Sequence, residues 1–173
     1  MYDSYRGKLL CLVNDKKKKT IEDVLISVDM KSGKIKKLAD FASLMSASRK
    51  KHVQRKGGKN TYGGTELDWL HLNSLDLIGK NELIVSSREE SSLIKISNLY
   101  GKAKISYIIH SGTLYKGTKL SKYLLKRVGK KFVGHAGQHT ITVEKDPSLP
   151  AGQYYLYMYN NNFGSAKTLP KFN

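Results

Sequence analysis

Two histidines have neighbours that could support chemistry. His71 lies near the start of a predicted strand, with Asn73 two residues later, and His139 lies near the start of another predicted strand. An imidazole can serve as a nucleophile, a proton carrier or a hydrogen-bond donor to an anion. Strand alternation predicts that Trp69, His71 and Asn73 share one face. A single strand histidine is usually structural, whereas two at matching positions of neighbouring repeats would reach one common channel.

Two further side chains are candidates for binding a substrate. Arg88 ends a predicted strand before Glu89 and Glu90, so it can pair with those acids or bind an oxyanion through its planar guanidinium. Asn160 begins a run of three asparagines after a strand with tyrosines on one face, namely Tyr155, Tyr157 and Tyr159. Such rows usually pack in a core, and they also suit an aryl substrate. Three other histidines lie in or beside predicted loops and support no functional assignment: His52, His110 and His135.

Segments of period two dominate the chain and predict strands. They form a three-stranded meander over about 8–38, a four-stranded unit over 68–110 and the start of a further unit over 138–164. Apolar residues at helical spacing predict two short helices, over about 41–52 and over 118–128. The candidate residues therefore lie at strand ends in the second and third groups.

Recurrent strand units indicate an all-β protein with short helical insertions. Four-stranded units in sequence are typical of a β-propeller, whose innermost strands line a central channel. A sandwich is the alternative. Because a blade takes about 40 to 45 residues, we expect one partial β-propeller domain over 1–173, with about two and a half blades. Its unpaired sheet edges would favour association with the remainder of a propeller or with a second copy.

Composition excludes several classes of protein. Cys11 is the single cysteine, so neither an intrachain disulfide nor a cysteine-rich zinc site is expected. The apolar runs are too short to span a bilayer, and residues 1–6 lack the apolar core of a signal peptide. The sequence has no phosphate-binding loop, serine-hydrolase elbow or zinc-protease helix motif. We therefore expect no metal and no cofactor.

The excess of positive charge has several interpretations. With 31 Lys and Arg against 14 Asp and Glu, the formal net charge is +17. The basic runs lie at predicted loops or helix ends, where a solvated surface is the usual reason, and anion steering into a cleft is the next. No specific nucleic-acid binding is expected, because lysine supplies most of the excess and is less suited to base readout. A noncatalytic basic β-module that binds anionic polymers is the alternative to an enzyme, and an inactive structural remnant is a third hypothesis.

Four segments of the sequence resemble the aryl-sulfate sulfotransferases, which move a sulfuryl group between phenols without a nucleotide sulfate donor. The segments occur in the family's order and extend over about 66–164. They are DWLHLNSLD at 68–76, ELIVSSR at 82–88, GQHT at 137–140 and YLYMYNNNFG at 155–164. The first segment, followed by the second, is the most specific of these likenesses.

The resemblance implies a six-bladed propeller with the active site in its central channel, and a ping-pong reaction through a sulfated histidine. It implies that His71 and His139 bind and polarise the sulfuryl group, and that Asn73, Arg88 and Asn160 lie in substrate-binding motifs. The substrates would be an aryl sulfate donor and a phenolic acceptor. The resemblance also implies an extracytoplasmic location, although the first residues show no signal peptide.

Two departures from the family pattern matter. The family's nucleophilic histidine lies further downstream than Asn173, so we expect a partial chain that carries part of the active site. The family also places an arginine shortly after the asparagine-rich turn. Here Lys167 is the nearby cation, and Leu169 stands at the corresponding place. A contact to the substrate anion is therefore in question.

Overall fold

A computed structural model of the protein describes residues 1–15, 20–48, 68–110, 112–129 and 134–162. These residues form three antiparallel sheets with few helical turns. The all-β class predicted from the period-two segments is thus confirmed, and the propeller stays a prediction. Among the described residues, no helix has the length and apolar character that crossing a membrane requires.

The first sheet contains four strands in sequential order, β1 to β4. They are β1 Tyr2–Asp3, β2 Lys8–Asp15, β3 Thr20–Asp29 and β4 Ile35–Asp40. The sequence predicted three of these four strands. It did not reveal β1, because a strand of two residues shows no periodic pattern. Gly33 occupies the predicted turn between β3 and β4 with φ +68°, a conformation that glycine adopts without steric cost.

The second sheet is a four-stranded meander, as predicted for 68–110. It consists of β5 Leu72–Gly79, β6 Glu82–Ser87, β7 Ser92–Ser97 and β8 Lys104–Ile109. The residues of β6 from Leu83 to Ser87 are all buried, although successive side chains point to opposite faces. Both faces of this sheet are therefore covered.

The third sheet is a hairpin of β9 His139–Glu144 and β10 Tyr155–Tyr159. It is joined to the second sheet by side chains. Ser74 Oγ on β5 accepts a hydrogen bond from the backbone N–H of Ile141 at 2.9 Å, and Asp76 Oδ2 accepts one from Val143 at 2.7 Å. The edge of β9 that faces away from β10 thus finds its partners on β5.

Two apolar clusters hold the sheets together on opposite faces of β6. Leu83 and Val85 belong to the main core, together with residues of β2 and β3. Ile84 and Leu93 belong to a smaller cluster with Ile141 of β9. The second sheet is therefore the middle layer of the three.

The first predicted helix is interrupted early. α1 covers Phe41–Leu44, and Asp40 caps it by accepting a hydrogen bond from the backbone N–H of Ser43 at 3.2 Å. Met45 ends it, and the predicted end near residue 52 lies outside the described residues. The N-terminal cap was thus predicted correctly, and residues 46–48 are helical again after the break at Met45.

The second predicted helix, over 118–128, is wrong. Only Ser121–Tyr123 form a helical turn, and it is of the 3₁₀ type. The chain then runs beside β8, where the backbone N–H of Leu125 donates to the carbonyl of Ile108 at 3.0 Å. A contact to a distant strand outweighs local helical spacing here, since a helix this short is marginal by itself.

Candidate functional site

The predicted site residues gather at one end of the second sheet. β5 begins and β6 ends at this end, because the two strands are antiparallel with Leu72 opposite Ser87. His71 precedes β5, Arg88 follows β6, and the backbone N–H of Arg88 donates to the carbonyl of His71 at 3.1 Å. β9 also begins here, with His139 as its first residue.

The backbone around His71 breaks the alternation predicted for this segment. His71 has φ +47°, which is rare for a residue with a side chain, and the register of β5 shifts between Leu72 and Ser74. Trp69 is fully buried in the core, whereas His71 is partly exposed. The prediction that these two share a face is therefore wrong, because an irregular strand end re-aims the side chains.

Asp68 fixes the orientation of the His71 ring. Nδ1 of His71 lies 2.5 Å from Oδ2 of Asp68. A carboxylate can only accept, so the ring proton lies on Nδ1, and the neutral imidazole keeps its lone pair on Nε2. Nε2 is thus the nitrogen of His71 that the contact with Asp68 leaves free.

Glu22 of β3 approaches the same pair. One ligand-type atom from each of Glu22, Asp68 and His71 lies within 4.8 Å of the others. Carboxylates and imidazole can ligate divalent metals, and the hydrogen bond to Asp68 leaves Nε2 of the ring free. Asp68 orients His71, and Glu22 adds a second carboxylate beside the pair. Sequence reasoning missed Glu22, because it lies on a strand of a different sheet.

His139 is held by the segment before it and by the asparagine-rich turn. Its Nδ1 lies 3.0 Å from the carbonyl oxygen of Gly137 and 2.7 Å from Nδ2 of Asn161. With the proton on Nδ1 the ring donates to Gly137 and carries a lone pair on Nε2. With the proton on Nε2, Nδ1 instead accepts from Asn161. His139 can thus present either a base or a donor, and Asn161 was not among the predicted residues.

The two histidines meet edge to face. Their ring centroids lie 6.2 Å apart with an interplanar angle of 65°. Each ring is fixed through Nδ1, one by Asp68 and the other by the Gly137 segment. The structure therefore brings His71 and His139 together.

Asn73 and Gln138 connect the two strands that carry these histidines. Nδ2 of Asn73 donates to the backbone carbonyl of Gln138 at 2.8 Å. The Gln138 side chain is fully buried, and its Nε2 lies within 3.0 to 3.1 Å of three oxygens on β6 and β7. Asn73 was predicted to bind substrate, and in the structure its amide positions the segment before His139. Gln138 was missed, because a buried glutamine leaves no periodic signal.

Arg88 is paired with an acid. Its Nε and Nη2 lie 3.0 Å and 2.6 Å from the same oxygen of Glu89, whose side chain is buried. Of the two partners weighed from the sequence, the acidic neighbour is the one found in the structure. The Nη1 end of the guanidinium takes no part in this pair.

Asn160 supports the same segment as Gln138. Its Oδ1 accepts from the backbone N–H of Ala136 at 2.9 Å and from that of Asn162 at 3.1 Å. The three tyrosines of β10 lie on one face, as predicted, and this face is exposed: Tyr155, Tyr157 and Tyr159. The cation and the substitution noted after this turn, Lys167 and Leu169, lie outside the described residues.

Comparison with known proteins gives two matches. The family model described as Arylsulfotransferase (ASST) matches residues 2–173. The chain is also 28% identical over 139 residues to a protein named ATP synthase subunit delta from Mycoplasma capricolum subsp. capricolum, a region covering 79% of this chain and 74% of that protein. No solved structure matches the chain. The family match covers nearly the whole chain, and the identity to the subunit is too low to assign a family.

Proposed function

The chain belongs to the arylsulfotransferase family, and from this premise we propose that its two paired histidines bind a sulfuryl group in transfer from an aryl sulfate to a phenol. The observation that carries the proposal is the contact between His71 and His139, with ring centroids 6.2 Å apart. Both rings are oriented through Nδ1. Because both rings are already oriented, they can stabilise an anion without the reorganisation that mobile water would need.

The reaction is a transfer through a histidine. An imidazole nitrogen with a free lone pair attacks the sulfur of the aryl sulfate, so an N–S bond forms as the bond from sulfur to the aryl oxygen breaks. The phenolate leaves with that electron pair and takes up a proton. The acceptor phenol then loses a proton, and its oxygen takes the sulfuryl group, which restores the imidazole. No nucleotide and no metal is needed to balance these steps.

The remaining residues have supporting roles in this proposal. The Nη1 end of Arg88 supplies a cationic donor to a sulfuryl oxygen, while Glu89 holds the other side of the guanidinium. Asn73 and Asn160 position the segment that leads into His139, because both bind its backbone. Asn161 sets which nitrogen of His139 carries the proton.

The stacking of the sheets supports propeller blades. In a propeller, neighbouring blades pack face to face, and their inner strands approach one another. The second sheet is covered on both faces, and β9 approaches β5 through the side chains of Ser74 and Asp76. We infer that 68–110 is one blade and that 138–162 belongs to the next.

The test is made on a full-length version of the protein and measures the release of p-nitrophenolate from p-nitrophenyl sulfate with phenol as acceptor. His71→Asn and His139→Asn should each lower the rate by about 10²-fold or more. Thr142→Ala changes an exposed residue of the same strand as His139 and should leave the rate unchanged. Mass spectrometry of protein treated with the donor alone identifies the histidine that carries the sulfuryl group.

Binding of the donor is measured in parallel. A chain that binds p-nitrophenyl sulfate through both histidines without turning it over would support recognition of the sulfuryl group by this pair. A full-length protein that neither binds nor turns over any aryl sulfate, or whose rate is unchanged by both substitutions, would overturn the proposal.

A further inference from the structure

A second pair of histidines lies at the same end of the middle sheet, on the side of β8. His110 follows β8, and His135 lies in the segment that leads to β9. Both line a cavity of about 520 Å³. The histidine pair of the proposed transfer site does not line this cavity, so the two sites are separate.

The His135 ring is buried with one nitrogen unsatisfied. Its exposed fraction is 6%. The backbone carbonyl of Ser91 acts on this ring to raise its pKa, whereas Nε2 is buried without a hydrogen-bond partner in the described part of the chain. A buried polar atom without a partner is unfavourable, so a partner supplied by a ligand is a reason for its presence.

His110 repeats this arrangement. Its Nδ1 lies 3.2 Å from the same Ser91 carbonyl and 3.2 Å from Oγ of Ser92, and its Nε2 is buried without a partner among the described residues. A carbonyl can only accept, so its hydrogen bond places the His110 proton on Nδ1. Two histidines with unpartnered, buried Nε2 atoms thus line one cavity.

The rest of the lining combines positive charge with apolar surface. Lys126 and Arg127 are the cations, and the apolar side chains are Ile109, Leu125 and Val128. Leu125 is 51% exposed and Val128 is 93% exposed, so apolar surface at this cavity is open to a ligand. A cavity of this volume matches the sites that proteins use for small molecules.

We propose that this cavity binds a small organic anion with an apolar body. The charged group of the ligand lies between Lys126, Arg127 and Nε2 of His135, and its body lies against Ile109, Leu125 and Val128. The proposal does not rest on sulfuryl transfer, because none of these residues contacts the first histidine pair in the described structure.

Binding is coupled to uptake of one proton from solvent. Burial lowers the pKa of His135 to about 4, and His110 nearby contributes to this shift. His135 is therefore neutral near pH 7, and an entering anion stabilises a proton on Nε2, which then donates to the anion. The charged and titratable groups around it are His110 after β8, Lys126 and Arg127 beyond the 3₁₀ turn, and Glu90, which is bound to Tyr115 and Ser92 behind the Ser91 turn.

Isothermal titration with benzenesulfonate tests this, since the probe is an anion at every pH used. The affinity should rise at least about tenfold from pH 7.5 to pH 5.5, because an acquired proton contributes one power of ten per pH unit until it is fully bound. Benzenesulfonamide, a neutral probe of the same body, should bind at least about tenfold more weakly at pH 5.5.

Three variants separate the sites. His135→Gln should abolish the pH dependence, and Lys126→Gln should weaken binding several-fold at both pH values. Lys119→Gln changes an exposed lysine of the same connecting segment that does not line the cavity, so it should have no effect. The double variant His71→Asn, His139→Asn should retain the pH-dependent binding, which makes the result independent of the proposed transfer.

Three outcomes would overturn the proposal. They are binding that does not change with pH, equal affinity for the neutral probe, and an equal effect of Lys126→Gln and Lys119→Gln. Because Lys126 is exposed, its variant is expected to fold even where His135→Gln does not.

Discussion

Asp76 on β5 accepts a hydrogen bond at 2.7 Å from the backbone N–H of Val143 on β9, across the boundary between two sheets. The same carboxylate accepts from the backbone N–H of Leu77 at 2.8 Å through its other oxygen. A side chain thus replaces the backbone carbonyl that a neighbouring strand would offer. This contact, together with that of Ser74, satisfies the free edge of β9.

Removal of this carboxylate should destabilise the protein. Asp76→Ala leaves two backbone donors without a partner, and we expect the free energy of unfolding to fall by about 1 to 3 kcal/mol. Urea denaturation measures the loss, and amide hydrogen exchange at Val143 should quicken. Asp76→Asn keeps one acceptor oxygen and should lose less. Equal stability of the unaltered protein and both variants would show that this contact does not contribute to the free energy of unfolding.

Gln138 should be the most sensitive polar residue of the site. Gln138→Ala removes the donor that reaches β6 and β7 and leaves a cavity, so we expect a loss of about 2 to 4 kcal/mol in unfolding free energy. Gln153 is an exposed glutamine before β10, and Gln153→Ala should change stability by less than about 0.5 kcal/mol. Denaturation curves of the two variants decide the point, and similar losses would contradict the assigned role.

Asp68 should set the tautomer of His71. In the unaltered protein the neutral ring should carry its proton on Nδ1, because Asp68 accepts there at 2.5 Å. In Asp68→Ala the ring loses this acceptor, and nitrogen-15 chemical shifts of the imidazole should move towards the Nε2–H form that free histidine favours. Asp68→Asn still offers an acceptor oxygen and should preserve most of the Nδ1–H form. An unchanged spectrum in Asp68→Ala would show that a group other than Asp68 determines which nitrogen of His71 carries the proton.

His135 should make the protein less stable in acid. Its pKa in the folded state is about 4, below the ordinary value of 6.5, so the unfolded chain binds this proton first as the pH falls. Its contribution is fully present above pH 6.5, is lost between pH 6.5 and 4, and amounts to about 3 kcal/mol at most. The difference between the unfolding free energies of the protein and of His135→Gln, measured from pH 7.5 to 4.5, isolates it. Parallel pH profiles would contradict the prediction.

Tyr115 should stabilise the protein through its hydroxyl group. That group donates to Glu90 at 2.5 Å and lies 2.9 Å from Oγ of Ser92, and all three residues are buried. Tyr115→Phe should therefore lower the free energy of unfolding by about 1 to 3 kcal/mol. Tyr123→Phe, at a half-buried tyrosine of the same connecting segment, should cost less than about 0.5 kcal/mol. Thermal unfolding of both variants is sufficient to compare them.

The middle sheet was the most predictable part of the fold. β6 Glu82–Ser87 and β7 Ser92–Ser97 lie within the four-stranded unit predicted over 68–110, because each is a compact apolar run that ends at a turn. The helix expected over 118–128 fails for the opposite reason. Its apolar spacing reflects contacts of single residues with distant elements, such as the buried Leu120 in the main core and Leu125 beside β8.

The proximity of His71 and His139 was predictable from the sequence, and the contacts that hold the two rings were not. Matching positions in successive units were sufficient to bring His71 and His139 together. Their supports depend on local backbone irregularity, with φ +47° at His71 and φ +57° at Thr140. Such residues shift the strand register by one, and a period-two pattern cannot reveal where this happens. The sequence therefore indicated Asn160 as the candidate in this turn, and it did not reveal that Asn161 is the residue that contacts His139.

Side chains join β5 directly to β9. The geometry of the histidine pair therefore does not depend on the length of the chain that connects the two strands. Side-chain oxygens of Ser74 and Asp76 on β5 accept hydrogen bonds from two backbone N–H groups of β9. The spacing of the two imidazoles is therefore set where these strands meet. Residues 112–129 do not set this spacing, although the buried side chains of Tyr115 and Leu120 anchor that segment in the main core. The proposed transfer site is thus held by the sheets, whereas the proposed outer cavity is lined in part by the segment that connects them.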